Sequence, residues 1–145
     1  MAMMMSGELN VFRPEDVKSI LSRVIRSLAP AGRLLVEVST MEAIKWKATG
    51  VRWYGAQSGL WSGKPHIVLQ ESAWHEPSRT CVVRYYLVDS ATALVRRYSA
   101  TYQAYAPQDY EQSLRTAGFS DIRWVEGWSD IAGNGGMEAL TARLM

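Results

Sequence analysis

"PEDVKSILSRVIRSLAPAGRLLVEVS", residues Pro14–Ser39, is the stretch that decides the fold. Pro14 followed by Glu15 and Asp16 reads as a helix start, because proline needs no donor in the first turn and acids suit its positive end. Val17, Ile20, Leu21, Val24, Ile25 and Leu28 then recur at helical spacing and form one apolar stripe. Lys18, Ser22, Arg23 and Arg26 take the other side. Pro30-Ala31-Gly32 stops the helix. Arg33–Val38, "RLLVEV", reads as a strand. Its Leu34-Leu35-Val36 core is apolar without alternation, as in a strand covered on both faces.

Outward from this unit the chain reads as more α/β structure. Ser39–Lys64 gives no regular pattern. "MEAIKWKA" fits a short helix, while "TGVRWYGAQSGLWSGKP" is a glycine-rich, aromatic loop. His66–Trp74, Thr80–Asp89 and Val95–Tyr105 are strand-like runs with joints short enough for antiparallel hairpins. In Thr80–Asp89, Cys81, Val83, Tyr85 and Leu87 share one face; Val82, Tyr86 and Val88 share the other with Arg84. Both faces are partly apolar, so this sheet is expected to pack on both sides. Pro107 opens a second helix, Gly118 closes it, and Phe119 folds back on the end. Asp121–Gly127 and Met137–Met145 read as two last strands, separated by "SDIAGNGG".

Composition bounds the function. The 145 residues suit one domain, 48% are apolar, and the net charge is +2 with scattered basic residues. A nucleic-acid footprint needs lysine and arginine gathered on one face, so no nucleic-acid partner is expected. The single cysteine, Cys81, excludes an internal disulfide and a cysteine-built zinc site, and a buried packing role is expected for it. No apolar run reaches the ~18–20 residues of a membrane span. The start lacks a signal-peptide pattern. A cytoplasmic protein without a membrane partner is expected.

Six tryptophans and seven tyrosines stand against two phenylalanines. Such residues suit half-wet pockets and interfaces. Trp61, Tyr86 and Tyr102 are expected to border one pocket under the antiparallel sheet. Motifs for chemistry are few. "AGNGG" joins two strands rather than a strand and a helix, so it is no phosphate cradle. His66 and His75 sit nine apart at opposite strand parities, so no metal site is expected. No serine lies in a nucleophile elbow. Glu8, Glu37 and Glu71 are available carboxylates, and the catalytic residue stays unassigned.

Beside these readings, "GELNVFRPEDVKSILSRVIRSLAPAGRLLVEVS" resembles the second half of a class I S-adenosylmethionine-dependent methyltransferase domain. "YAPQDYEQSLRTAGFSDIRWVEGW" resembles that family's following helix and sixth strand, and "EALTARLM" its seventh. The resemblance implies a truncated Rossmann-like sheet, with strands equivalent to the family's 5-7-6, plus an antiparallel three-stranded extension at residues 61–106 of a single domain, 1–145. It implies helices on opposite faces of the sheet. It also implies that the chain begins where the fourth strand has ended, without the glycine-rich turn and ribose-binding acid that hold the cofactor.

On the same resemblance, Glu8 and Asn10 face the methionine end of S-adenosylmethionine. Trp53, Trp61, Tyr86, Tyr102 and Tyr105 line a pocket for a small-molecule substrate. The chain alone is expected neither to bind the cofactor nor to act, and a separate N-terminal half would complete it. The alternative is a non-catalytic small-ligand-binding or interaction module. An uncovered Arg33–Val38 edge is expected to drive a homodimer through that strand or the helix Pro14–Leu28.

Overall fold

The computed structural model describes residues 1–130 and 135–144. "AGNGG" therefore falls largely outside the described residues. In chain order the strands are β1 (Ala2–Met4), β2 (Arg33–Ser39), β3 (Val51–Ala56), β4 (His66–His75), β5 (Thr80–Asp89), β6 (Val95–Gln103), β7 (Phe119–Trp124) and β8 (Met137–Leu144). The helices are α1 (Pro14–Ser27), α2 (Met41–Lys47) and α3 (Pro107–Ala117), and a 3-10 turn spans Glu8–Val11. The chain divides into two compact units, one of Met1–Ile44 with Tyr102–Met145 and one of Lys45–Thr101. No described helix is long and apolar enough to cross a membrane.

The first unit holds a mixed sheet in the order β1-β2-β8-β7. Its β2-β8-β7 block matches the 5-7-6 arrangement that the sequence implies. The helix–turn–strand reading of Pro14–Ser39 also holds. Gly118 closes α3 in the left-handed region (φ 110°), its N–H reaching the Arg115 carbonyl at 3.0 Å, and Phe119 turns inward at 3% exposure.

Two expectations are corrected here. β1 pairs parallel with β2, with Ala2 opposite Leu34 and Met4 opposite Val36. A fourth-strand counterpart is therefore present, and β2 has partners on both edges, since β8 runs antiparallel along its other side. Three residues suffice for the bridge, and the pliable side chain of Met4 fills its place at 8% exposure. The dimer through an uncovered β2 edge loses its ground.

The helices also share one face of the sheet. α1 buries Val17 and Leu21, and α3 buries Tyr110 and Leu114, all in one core with Leu34, Val36 and Val38 of β2 and Leu140 of β8. Leu35 and Glu37, on the reverse face, are only half-buried. β2 thus alternates after all, because the described residues place helices on one side of it.

The second unit is an antiparallel sheet in the order β3-β4-β5-β6. It has four strands rather than three, since Val51–Ala56 pairs along the whole of His66–Glu71. Glycine and two bulky aromatics hid this edge strand within the stretch read as a loop. Only one face is closed: Val68, Cys81, Val83 and Leu87 are each under 5% exposed, whereas the reverse face stays open.

Candidate functional site

A cleft of about 280 Å³ opens in the first unit at the carboxyl ends of β2 and β7. In α/β sheets the ends of the strands are where ligand-binding loops gather. Ser39, Thr40, Met41 and Glu42 leave β2 along one wall. Tyr105, Pro107 and Tyr110 enter and begin α3 on another, and Trp124 and Glu138 close the sheet side.

The aromatic wall is continuous. The Tyr105 and Tyr110 rings are tilted at 59° with centroids 5.2 Å apart, and Tyr110 meets Trp124 edge-on at 6.3 Å. Trp124 donates its indole N–H to Glu111 at 3.0 Å, which fixes its ring. α3 is set in place by its first turn, where the Ala106 N–H donates to the Asp109 carboxylate at 2.9 Å.

One buried side chain ties these walls together. Asn10, 1% exposed, donates from Nδ2 to the Gln103 carbonyl at 2.9 Å and to the Tyr110 hydroxyl at 2.6 Å. Its Oδ1 accepts the Ser39 N–H at 2.9 Å, and the Tyr110 hydroxyl donates to the Ser39 carbonyl at 3.0 Å. Gly7 makes the approach possible: at φ 67° its missing Cβ would sit 2.8 Å from the Ser39 hydroxyl.

Burial pushes both tyrosine hydroxyls upward, Tyr105 to about 12 with help from Glu15 and Asp109. They stay neutral donors at physiological pH. Among the described residues, the cleft lining carries two carboxylates, Glu42 and Glu138, and no lysine, arginine or histidine. Its field therefore favours a cation or an amine over an anion.

Of the residues predicted from sequence, Tyr105 lies in this cleft and Asn10 braces it. Glu8 is exposed at the start of the 3-10 turn. Trp61, Tyr86 and Tyr102 do not border one pocket, which corrects that expectation. Trp61 rests on Tyr85 at 4.8 Å and Tyr98 at 5.6 Å, and its N–H donates to the Tyr54 hydroxyl. Tyr86, one residue from Tyr85, points through the opposite face and donates to Glu71 at 2.9 Å. Tyr102 is half-buried in the first unit, and Trp53 is 74% exposed on β3.

His66 is buried with Nδ1 at 2.7 Å from the Lys64 carbonyl, and His75 holds the Ser78 hydroxyl at 2.6 Å. Glu37 accepts the Ser6 N–H and the Trp128 indole, and Glu71 also meets Arg84. Sequence reasoning missed Tyr110, Trp124, Glu42 and Glu138. Position offered one signal, since Thr40-Met41-Glu42 follow directly on the carboxyl end of the best-defined strand.

No protein-family model and no curated protein matches the chain. Among solved structures it is similar to the CcbJ methyltransferase of Streptomyces caelestis, with a TM-score of 0.66 at 12% identity over 98% of this chain and 55% of that one. It is likewise similar to the sugar N-methyltransferase KedS8 of Streptoalloteichus, with a TM-score of 0.65 at 14% identity over 99% of this chain and 55% of that one. The amino pentose methyltransferase CalS10 of Micromonospora echinaspora, solved with S-adenosylmethionine bound, gives 0.61 at 16% identity over 99% and 58%. The chain thus has the fold of part of an S-adenosylmethionine-dependent methyltransferase and spans a little over half the length of these structures.

Proposed function

We propose that the chain is the substrate-side portion of an S-adenosylmethionine-dependent methyltransferase acting on a small molecule that bears an amine. The observation that carries this reading is the acidic, aromatic cleft at the carboxyl ends of β2 and β7, in a sheet built as in the similar methyltransferases. That KedS8 is a sugar N-methyltransferase and CalS10 an amino pentose methyltransferase supports the choice of an amine.

The cleft's own residues divide the work. Ring faces of Tyr105, Tyr110 and Trp124 attract a substrate ammonium group and keep water from it. An ammonium has no lone pair to give, so its proton must leave before nitrogen can act as a nucleophile. Glu138, half-buried where Glu42 is exposed, is the residue assigned to accept it. Asn10 and Tyr110 hold the Ser39 backbone, and with it the wall that Thr40 and Glu42 belong to.

The described residues do not make a site for the whole cofactor. A cofactor carboxylate in the cleft would face Glu42 and Glu138. The described helix starts are Arg13-Pro14, Thr40-Met41 and Ala106-Pro107, none of them a glycine-rich turn. Glu8, exposed just beyond the carboxyl end of β1, remains the candidate to meet the cofactor's methionine end, with a separate N-terminal half holding the rest.

Titration calorimetry of S-adenosylmethionine into the 145-residue chain is expected to show no binding in the micromolar range. Micromolar binding would place a complete cofactor site within this chain and overturn the division. The acidic, aromatic cleft also suits a second reading, a non-catalytic module that binds small amines.

A further inference from the structure

We propose, resting on the amine reading above, that Glu111 strengthens the cleft's hold on a cation by acting through Trp124. Glu111 is on α3 and does not line the cleft, whereas Trp124 is on β7 and does. One hydrogen bond joins the two elements. The Trp124 indole N–H donates to Glu111 Oε1 at 3.0 Å, and both side chains are half-buried. Glu111 Oε2 meets Arg115, one turn further along the helix, at 3.6 Å. A helix-surface pair of this kind stabilises a helix little by itself. The bond to the indole is the one that reaches the cleft.

A carboxylate at an indole N–H does more than hold the ring in place. The bond is charge-assisted, and where water is scarce such a bond polarises the group it touches. Electron density moves from the indole nitrogen into the ring. A richer ring face attracts a cation more strongly, and indole is already the best aromatic face for this contact. Tyr110 meets the same indole edge-on at 6.3 Å, so α3 holds it at two points. Glu111 is thus a positioning residue: it orients and charges the ring without touching the ligand.

Titration of the ¹⁵N-labelled 145-residue chain with tetramethylammonium chloride tests this, with tert-butanol as the neutral comparison of like shape. The cation has no N–H to donate, so it responds to the ring faces rather than to hydrogen bonds with Glu42 or Glu138. Glu111→Gln keeps an acceptor of the same shape and removes its charge. It is expected to weaken tetramethylammonium binding by about two- to threefold and to leave the tert-butanol response as it was. In the same variant the Trp124 indole proton should move upfield while its signal persists. In a Trp124→Phe chain, Glu111→Gln should cause no further loss, because the coupling runs through the indole.

An unchanged affinity in Glu111→Gln overturns the proposal. So does an equal loss in the Trp124→Phe background, which would mean a charge felt through space. An indole proton that stays in place overturns it too, and that measurement needs no change at Trp124. Failure of the amine reading itself looks different: the wild-type chain then responds to neither tetramethylammonium nor glucosamine, and the role of Glu111 falls with it.

Discussion

Replacing Asn10 with leucine is expected to destabilise the protein by about 3–5 kcal/mol, although leucine is close to asparagine in volume. The side chain is 1% exposed and makes three hydrogen bonds, to the Ser39 N–H, the Gln103 carbonyl and the Tyr110 hydroxyl. Leucine removes one partner from each and strands the Ser39 N–H away from water, while the Tyr110 hydroxyl keeps its bond to the Ser39 carbonyl. A buried donor or acceptor without a partner costs ~1–3 kcal/mol, far more than the bond contributes when intact. Tyr110→Phe is the milder comparison, since it spares the Asn10 bonds to Ser39 and Gln103. Denaturant unfolding of the two variants side by side measures the difference. An Asn10→Leu loss below ~1 kcal/mol would show that the brace is dispensable.

Leu34→Ala is expected to cost about 2–5 kcal/mol and Leu35→Ala less than about half of that, although the two leucines are neighbours on one strand. Leu34 is fully buried among α1, α3 and β8 residues, so truncation leaves a cavity that close-packed neighbours fill only in part. Leu35 stands on the reverse face, half-buried, between Met3 and Thr141. Met3 is 59% exposed, so the site can relax and less apolar area is lost. Equal costs would mean that this second face is covered as tightly as the first, contrary to its exposure.

The parts of the fold that local chemistry determines were legible in the sequence. Pro14 with its acids, the stripe from Val17 to Leu28, and the Gly118 stop each act within a few residues. Sidedness was not legible. A run such as Leu34-Leu35-Val36 reads the same whether one face or both are covered, and only the positions of α1 and α3 distinguish the cases. β1 was hidden because three residues of "MAMMM" carry no period, and β3 because its pairing with β4 is a long-range property.

The candidate site was only partly legible for a related reason. Tyr105 stood out as an aromatic near a helix start. Tyr110 and Trp124 looked like ordinary core positions of a helix and a strand. Asn10 was singled out, yet nothing in its neighbourhood indicates that its partners are Ser39, Gln103 and Tyr110, which lie 29, 93 and 100 residues away. Trp53 and Tyr86 were grouped with Trp61 on composition, while strand parity turns Tyr86 away from the face on which Trp61, in the β3–β4 connection, rests on Tyr85 and Tyr98.

The most direct test of the proposed amine site is a titration of the ¹⁵N-labelled chain with glucosamine, followed by amide chemical shifts, with glucose as the neutral comparison. Glucosamine is expected to bind on the order of millimolar, a few kcal/mol for so small a ligand. The shifts should centre on Ser39, Thr40, Met41, Tyr110, Trp124 and Glu138, with glucose leaving them in place and Glu138→Gln abolishing most of the response. Shifts confined to Lys45–Thr101, or equal responses to both sugars, would contradict an amine site in this cleft.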